Sequence, residues 1–157
     1  MAERYKREVA YRVFSKDLVK STVVPRGDGE FDVQYTKLPT GQLINRVFVC
    51  GALIDLQDFG SDTPFYKLRI SDTKGMFEAN IGQYSSEPAQ MLAEKIEFPC
   101  YVAIVGKVKS REYNDMTYFD ISVEYMTQID EDTYAKWIEE TEEYTCARQD
   151  EYEDQSV

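Results

Sequence analysis

The sequence predicts a mainly β protein: a five-stranded barrel with an α-helix at either flank. Three observations carry that expectation. Five strand-like segments fall between residues 46 and 128, ordered as three strands, a short helix and two strands, with no βαβ spacing. The first of them, RVFVCGALIDL (46–56), is continuously apolar with Gly51 at its middle, which suits a long central strand that bends sharply where a side chain is missing and so serves two sheets. The chain has 157 residues, 43% apolar and 13% aromatic, enough for one packed core and too short for two full domains.

The N-terminal lead-in covers 1–45. EVAYRVFSKDL (8–18) places Val9, Ala10, Val13, Phe14, Asp17 and Leu18 near a 3.6-residue period, predicting a short amphipathic helix. Pro25, Gly27 and Gly29 mark a loop, and a β-prone stretch (31–38) stops at the turn Pro39-Thr40-Gly41. The predicted barrel spans 46–128. In its second strand, 65–70, Phe65, Lys67 and Arg69 alternate with Tyr66, Leu68 and Ile70. A turn at 71–75 leads into the third strand, 76–81, where Phe77, Ala79 and Ile81 alternate with Met76, Glu78 and Asn80. Pro88, following Ser85, Ser86 and Glu87, starts a short helix over 88–95. Strand four, 100–109, sets Val102, Ile104, Gly106 and Val108 against Tyr101, Ala103, Val105, Lys107 and Lys109. A turn at 112–115 enters strand five, 116–126. Asp130 or Asp132 caps a last helix, within 129–147, carrying Tyr134, Trp137, Ile138, Thr141, Tyr144 and Thr145 on one side. Residues 148–157 lack apolar period and are expected to form a disordered acidic tail.

The absence of histidine removes the usual general base, the commonest metal ligand and the physiological pH switch. Cys50, Cys100 and Cys146 are widely spaced and odd in number, so they read as free thiols rather than a zinc or disulfide framework. Gly-rich phosphate loops and a Gly-x-Ser-x-Gly elbow are missing. The expectation is a protein that is not an enzyme, with no metal and no cofactor. Without an apolar run long enough for a membrane span, and with a charged start, it is expected to be cytoplasmic and to bind no membrane.

The formal charge of −11 is unevenly spread. Residues 130–157 hold eleven acids against Lys136 and Arg148, a net of −9, while 1–129 are nearly neutral. An acidic chain can therefore still carry a basic groove.

The element order is the layout of the OB barrel. ISDTKGMFEA (70–79) resembles the hairpin between strands two and three of single-stranded-DNA-binding OB domains of the replication protein A type. REVAYRVFSKDL (7–18), PTGQLINRVFVCGAL (39–53), GQYS (82–85), YVAIVGKV (101–108) and D-x-x-T-Y-A-K-W-x-x-E-T (130–141) together resemble the archaeal replication protein A-associated OB-fold proteins. The resemblance implies an accessory subunit that joins a larger OB-fold subunit, binds single-stranded DNA in replication and repair, and is nucleoid-associated. The cysteine-rich zinc module of some large subunits has no counterpart here.

Binding a single strand without sequence preference needs cations along the backbone path and exposed aromatic faces for stacking. Lys67 and Arg69, Lys107, Lys109 and Arg111 supply the former; Tyr84, Tyr113 and Tyr118 the latter. Tyr66 and Phe77 alternate with polar neighbours and read as core. Glu78, Glu112 and Asp120 share the basic neighbourhood and reduce its field, so the cations also read as an ordinary solvated face. Tyr134, Trp137, Ile138 and Tyr144 are the candidate partner interface; the competing reading is that they cover a barrel opening. Two functions stand against each other: a DNA-binding accessory subunit of a hetero-oligomer, and a scaffold with little DNA affinity of its own.

Overall fold

The computed structural model describes residues 10–24 and 35–155. The loop signature at 25–29, the first part of the β-prone stretch, and Glu8 and Val9 lie outside those residues. The barrel consists of β5 (Arg46–Asp58), β6 (Phe65–Ser71), β7 (Met76–Gly82), β8 (Cys100–Tyr113) and β9 (Met116–Ile129). Ahead of it come β1 (Ala10–Arg12), α1 (Ser15–Val19), β2 (Thr22–Val23), β3 (Thr36–Lys37) and β4 (Leu43–Ile44). Helix α2 (Glu87–Lys95) separates β7 from β8, and α3 (Glu131–Gln155) follows β9.

One edge of β5 pairs with β8 from Arg46 to Leu53, and its other edge pairs with β6 from Ala52 to Asp58. The remaining links are antiparallel β6–β7 and β8–β9, and a short parallel junction of β7 on β9 that sets Glu78 beside Asp120 and Asn80 beside Ser122. The β5–β8 and β7–β9 pairings close the ring, while the β8–β9 hairpin beyond Lys109 and Asp120 pairs only strand to strand within itself. This is the expected mainly β, five-stranded OB fold.

Two glycines permit the closure. A Cβ on Gly51 would lie 2.6 Å from Ile70 Cγ2 and 2.7 Å from the Ser71 carbonyl oxygen; one on Gly106 would lie 2.8 Å from Ile121 Cγ2 and press on the Ser122 carbonyl. Inward-facing Val49, Leu53, Leu68, Ile70, Ala79, Ile81, Ile104 and Ile121 fill the interior, joined by the expected core residues Tyr66 and Phe77.

The N-terminal prediction needs correcting. Residues 10–12 are not helical: β1 lies parallel on β5, matching Ala10 to Arg46 and Arg12 to Phe48. Backbone groups offered by the free stretch of the β5 edge outcompete the local helical period, and the helix shrinks to Ser15–Val19. Its start is capped from a distance. The buried Asp72 carboxylate, in the β6–β7 turn, accepts from Ser15 N at 2.7 Å, Ser15 Oγ at 2.8 Å, Lys74 N at 2.8 Å and Gly75 N at 2.9 Å. The loop between β3 and β4 turns at Gly41, φ +94°, within the expected Pro39-Thr40-Gly41 turn. Ser86 caps α2 by accepting from Ala89 N, and Asp130 caps α3 by accepting from Thr133 N at 2.7 Å. Hydrogen bonding from Thr133, first from its side chain and then from its backbone N–H, holds the Asp130 carboxyl below its ordinary range.

Helix α3 also departs from expectation, running to Gln155 where an unstructured tail is predicted from 148. Extending a helix already nucleated by packing costs little, glutamates are good helix formers, and Arg148 Nη2 donates to the Arg12 carbonyl at 2.7 Å. Residues 156 and 157 of the expected tail lie outside the described residues.

Tyr134 and Trp137 are 9% and 3% exposed, so they are part of this chain's own core rather than open to a partner. Trp137 meets Phe14 edge to face at 5.5 Å and donates Nε1–H to the Phe48 carbonyl at 3.3 Å; Tyr134 packs on Tyr101 at 4.8 Å. An indole placed against α1 and β5 satisfies its one donor inside the protein, which removes the reason to expose it. Ile138 is half-buried beside them, and Tyr144 remains exposed.

Two outcomes are expected. Trp137→Ala should destabilise the isolated chain by about 3–5 kcal/mol, read as a lower urea midpoint with an unchanged slope. Burial pushes the Cys50 thiol up to about 12 and raises that of Cys100, so both stay protonated at neutral pH, whereas Cys146 is exposed. Thiol labelling of the native protein, followed by peptide mass spectrometry, should modify Cys146 first; prompt labelling of Cys50 would contradict the packing described.

Candidate nucleic-acid interface

Alternation along β6 and β7 generates the surface. With Tyr66, Leu68, Ile70, Phe77, Ala79 and Ile81 turned into the core, Phe65, Lys67, Arg69, Met76, Glu78 and Asn80 must face out. Registers pair Lys67 with Asn80 and Arg69 with Glu78. Beyond β7 the same outward face continues onto β9 through Asp120 and Ser122, with Asn80 Nδ2 donating to Asp120 Oδ2 at 3.4 Å.

Two features border this face. The first is the β8–β9 hairpin, whose strands pair to the last residue, Tyr113 opposite Met116, across a two-residue turn. Asn114 and Asp115 both take positive φ, 52° and 64°, the conformation such tight hairpin turns require. The predicted turn at 112–115 is thus tighter than expected. The hairpin carries Arg111 opposite Tyr118, with the guanidinium carbon 5.7 Å from the ring centroid, and ends in Tyr113, 67% exposed. The second border is the loop joining β5 to β6, where Phe59 N donates to the Phe65 carbonyl and Lys67 Nζ stands 5.5 Å from the centre of the Phe59 ring.

Tyr84 follows β7 and is 93% exposed. Its loop is braced from beneath: Ser85 Oγ donates to the Val123 carbonyl at 2.6 Å and accepts from Gly82 N at 3.0 Å, and Gln90 Nε2 donates to the Ser85 carbonyl at 2.9 Å. An exposed ring on a braced loop loses little freedom when a base stacks on it. Phe65, Asn80, Tyr84 and Ser122 line a cleft of about 290 Å³. A larger cleft, about 440 Å³, lies toward the hairpin between Arg69, Glu78, Arg111 and Tyr118, walled by Val19 and Met76.

The structure therefore brings together Arg69, Arg111 and Tyr118, with Tyr113 at the hairpin tip and Lys67 and Tyr84 farther along the same face. Lys107 and Lys109 stand apart from Lys67 and Arg69, separated from β6 by β7 and β9. Lys109 sits opposite Asp120, and half-buried Lys107 lies between Arg46 and Ser122 in the registers of its two neighbours. Phe59 was not among the sequence candidates; its signal is a single aromatic in the connection between strands one and two. Among the described residues no group of three His, Cys, Asp or Glu side chains could hold a metal, and no helix is long and apolar enough to cross a membrane.

No protein-family model and no curated protein matches the sequence. Solved structures do match the fold. A chain of the S. pombe Stn1-Ten1 complex superposes with a TM-score of 0.77 at 12% identity, covering 94% of this chain and 99% of that one. A chain of a replication protein A heterotrimer bound to single-stranded DNA gives 0.62 at 15% identity, covering 90% and 98%. Both likenesses span the flanking elements as well as the barrel, and they establish the chain as an OB-fold protein.

Proposed function

We propose that this chain binds single-stranded nucleic acid across the outward face of β6 and β7, as an accessory subunit in a heteromeric assembly of the replication protein A type. The observation that carries the reading is the braced, almost fully exposed Tyr84 on the same face as Lys67, Arg69, Arg111, Tyr118 and Tyr113. Aromatic faces spaced along a cationic path are what a flexible strand needs, since each base offers a π-face and each link a charge. The similarity in fold to chains from a heterotrimer bound to single-stranded DNA and from the Stn1-Ten1 complex supports both halves of the proposal. The sequence resemblance described above supports an archaeal assembly acting at the nucleoid in replication and repair. With Tyr134 and Trp137 committed to the core, the contact with a larger OB-fold subunit falls to the exposed side of α3, including Tyr144.

One observation favours the scaffold reading. Arg69 and Arg111 are already paired to a carboxylate, and Asp120 adjoins it, so the face is less basic than its cation count suggests.

Fluorescence anisotropy with a labelled oligonucleotide separates the two. The DNA-binding reading expects affinity that falls with salt, and the Lys67→Ala, Arg69→Ala, Lys107→Ala, Lys109→Ala variant should flatten the logarithmic salt slope by about 1–3. Tyr84→Ala should weaken binding roughly 5- to 150-fold, corresponding to about 1–3 kcal/mol for one stacked base. Unchanged affinity and slope in a folded variant, or no binding beside firm association with a larger subunit, would favour the scaffold.

A further inference from the structure

Glu78 lies at the middle of β7, half-exposed, and its two carboxylate oxygens face different arginines. Arg69 Nη2 of β6 is 3.9 Å from Oε1, and Arg111 Nη2 of β8 is 3.6 Å from Oε2. The two guanidiniums come from strands that do not pair: β6 borders β7, whereas Arg111 reaches over β9. A single anionic group thus gathers two cations that the topology holds apart. The same pair of arginines would suit a phosphate, which carries its charge on oxygens spread in a similar way and accepts guanidinium hydrogen bonds as carboxylate does. Around the arginines, Tyr118 lies under Arg111, and Val19 and Met76 add apolar wall to a cleft of about 440 Å³ open to solvent.

We infer that Glu78 is an internal competitor for a phosphate site formed by Arg69 and Arg111, holding the two arginines in place and weakening strand binding until a phosphate displaces it. The inference rests on the proposed strand-binding function and adds a specific gate to it. Exposed ion pairs are individually weak, so the competition is of a size that a strand bound at several points can overcome. Asp120, next to Glu78 across the β7–β9 junction, adds negative charge and discourages an unpaired anion there, but it accepts from Asn80 and makes no ion pair with either arginine.

The test compares Glu78→Gln, isosteric and at a solvent-facing position, with Glu112→Gln, which makes the same charge change on the neighbouring hairpin without touching Arg69. Both are titrated with labelled oligonucleotides bearing or lacking a 5′-phosphate, in the wild-type background and in Arg69→Ala, Arg111→Ala. Circular dichroism and thermal midpoints confirm folding. The expected result is a roughly 3- to 10-fold gain for Glu78→Gln, a smaller change for Glu112→Gln, and no gain from Glu78→Gln once both arginines are gone. The logarithmic salt slope should also steepen by about 1 in Glu78→Gln, as freed arginines release counterions from the strand. A gain confined to 5′-phosphorylated strands assigns the site to a terminal phosphate; a gain on both assigns it to internal phosphodiesters. Equal gains from both glutamates, or a gain that survives loss of the arginines, would reduce Glu78 to general repulsion and overturn the inference. Wild-type binding with no gain in Glu78→Gln overturns it while leaving strand binding intact; absence of binding by every variant overturns both.

Discussion

Barrel closure through β5 is the constraint from which the rest follows. One strand of thirteen residues hydrogen-bonds to β8 along one edge and to β6 along the other, and the two pairings overlap at Ala52 and Leu53. The overlap demands close approach of three strands at Gly51, where a methyl group would collide with Ile70 and Ser71, and a matching approach at Gly106. With closure fixed, the side-chain period of two leaves no freedom about which residues of β6 and β7 face out. Slipping β6 by one residue would bury Lys67 and Arg69 and expose Leu68 and Ile70, and slipping β7 would bury Glu78 and Asn80 and expose Ala79 and Ile81.

Closure also explains how the flanking elements contribute. The part of the β5 edge that β6 does not use is taken by β1, and β1 in turn places Arg12 against Phe48, Tyr144 and Glu140, linking the barrel to α3. Asp72, buried in the β6–β7 turn and satisfied by four donors, fixes α1 so that Phe14 meets Trp137. The aromatic layer of Phe14, Tyr134, Trp137 and Tyr101 is therefore a joint between helix and barrel. Its burial frees the opposite requirement, exposure, to be met on a different surface by Tyr84, Tyr113 and Tyr118.

Much of this was legible in the residues. Strict alternation from Phe65 to Ile70 specifies which side chains face out, and the apolar run around Gly51 specifies a bent central strand, because both are local patterns read directly by burial. Elements that depend on distant partners were not. Ala10, Tyr11 and Arg12 form a strand only because β5, more than thirty positions later, has an unused edge. The fate of Trp137 depended on whether Phe14 and the Phe48 carbonyl would meet it, and neither is near in sequence. Likewise Glu78 was visible as a charge that dilutes the basic face, but its bridging of Arg69 and Arg111 required knowing that Arg111 of β8 reaches across β9 toward β7. Residues 148–155 carry no apolar stripe to announce a helix, and they are helical as a continuation of one already packed.

The account stands or falls on where a strand touches the protein. Photocrosslinking an oligonucleotide containing 5-bromodeoxyuridine, with the adducted peptides identified by mass spectrometry, reads that surface directly. Adducts should concentrate on Tyr84, Phe65 and Phe59 and on the hairpin aromatics Tyr113 and Tyr118, with α3 unlabelled. Adducts confined to α3 around Tyr144 and Tyr152, with the β6–β7 face clean, would contradict the assignment of that face as the binding surface.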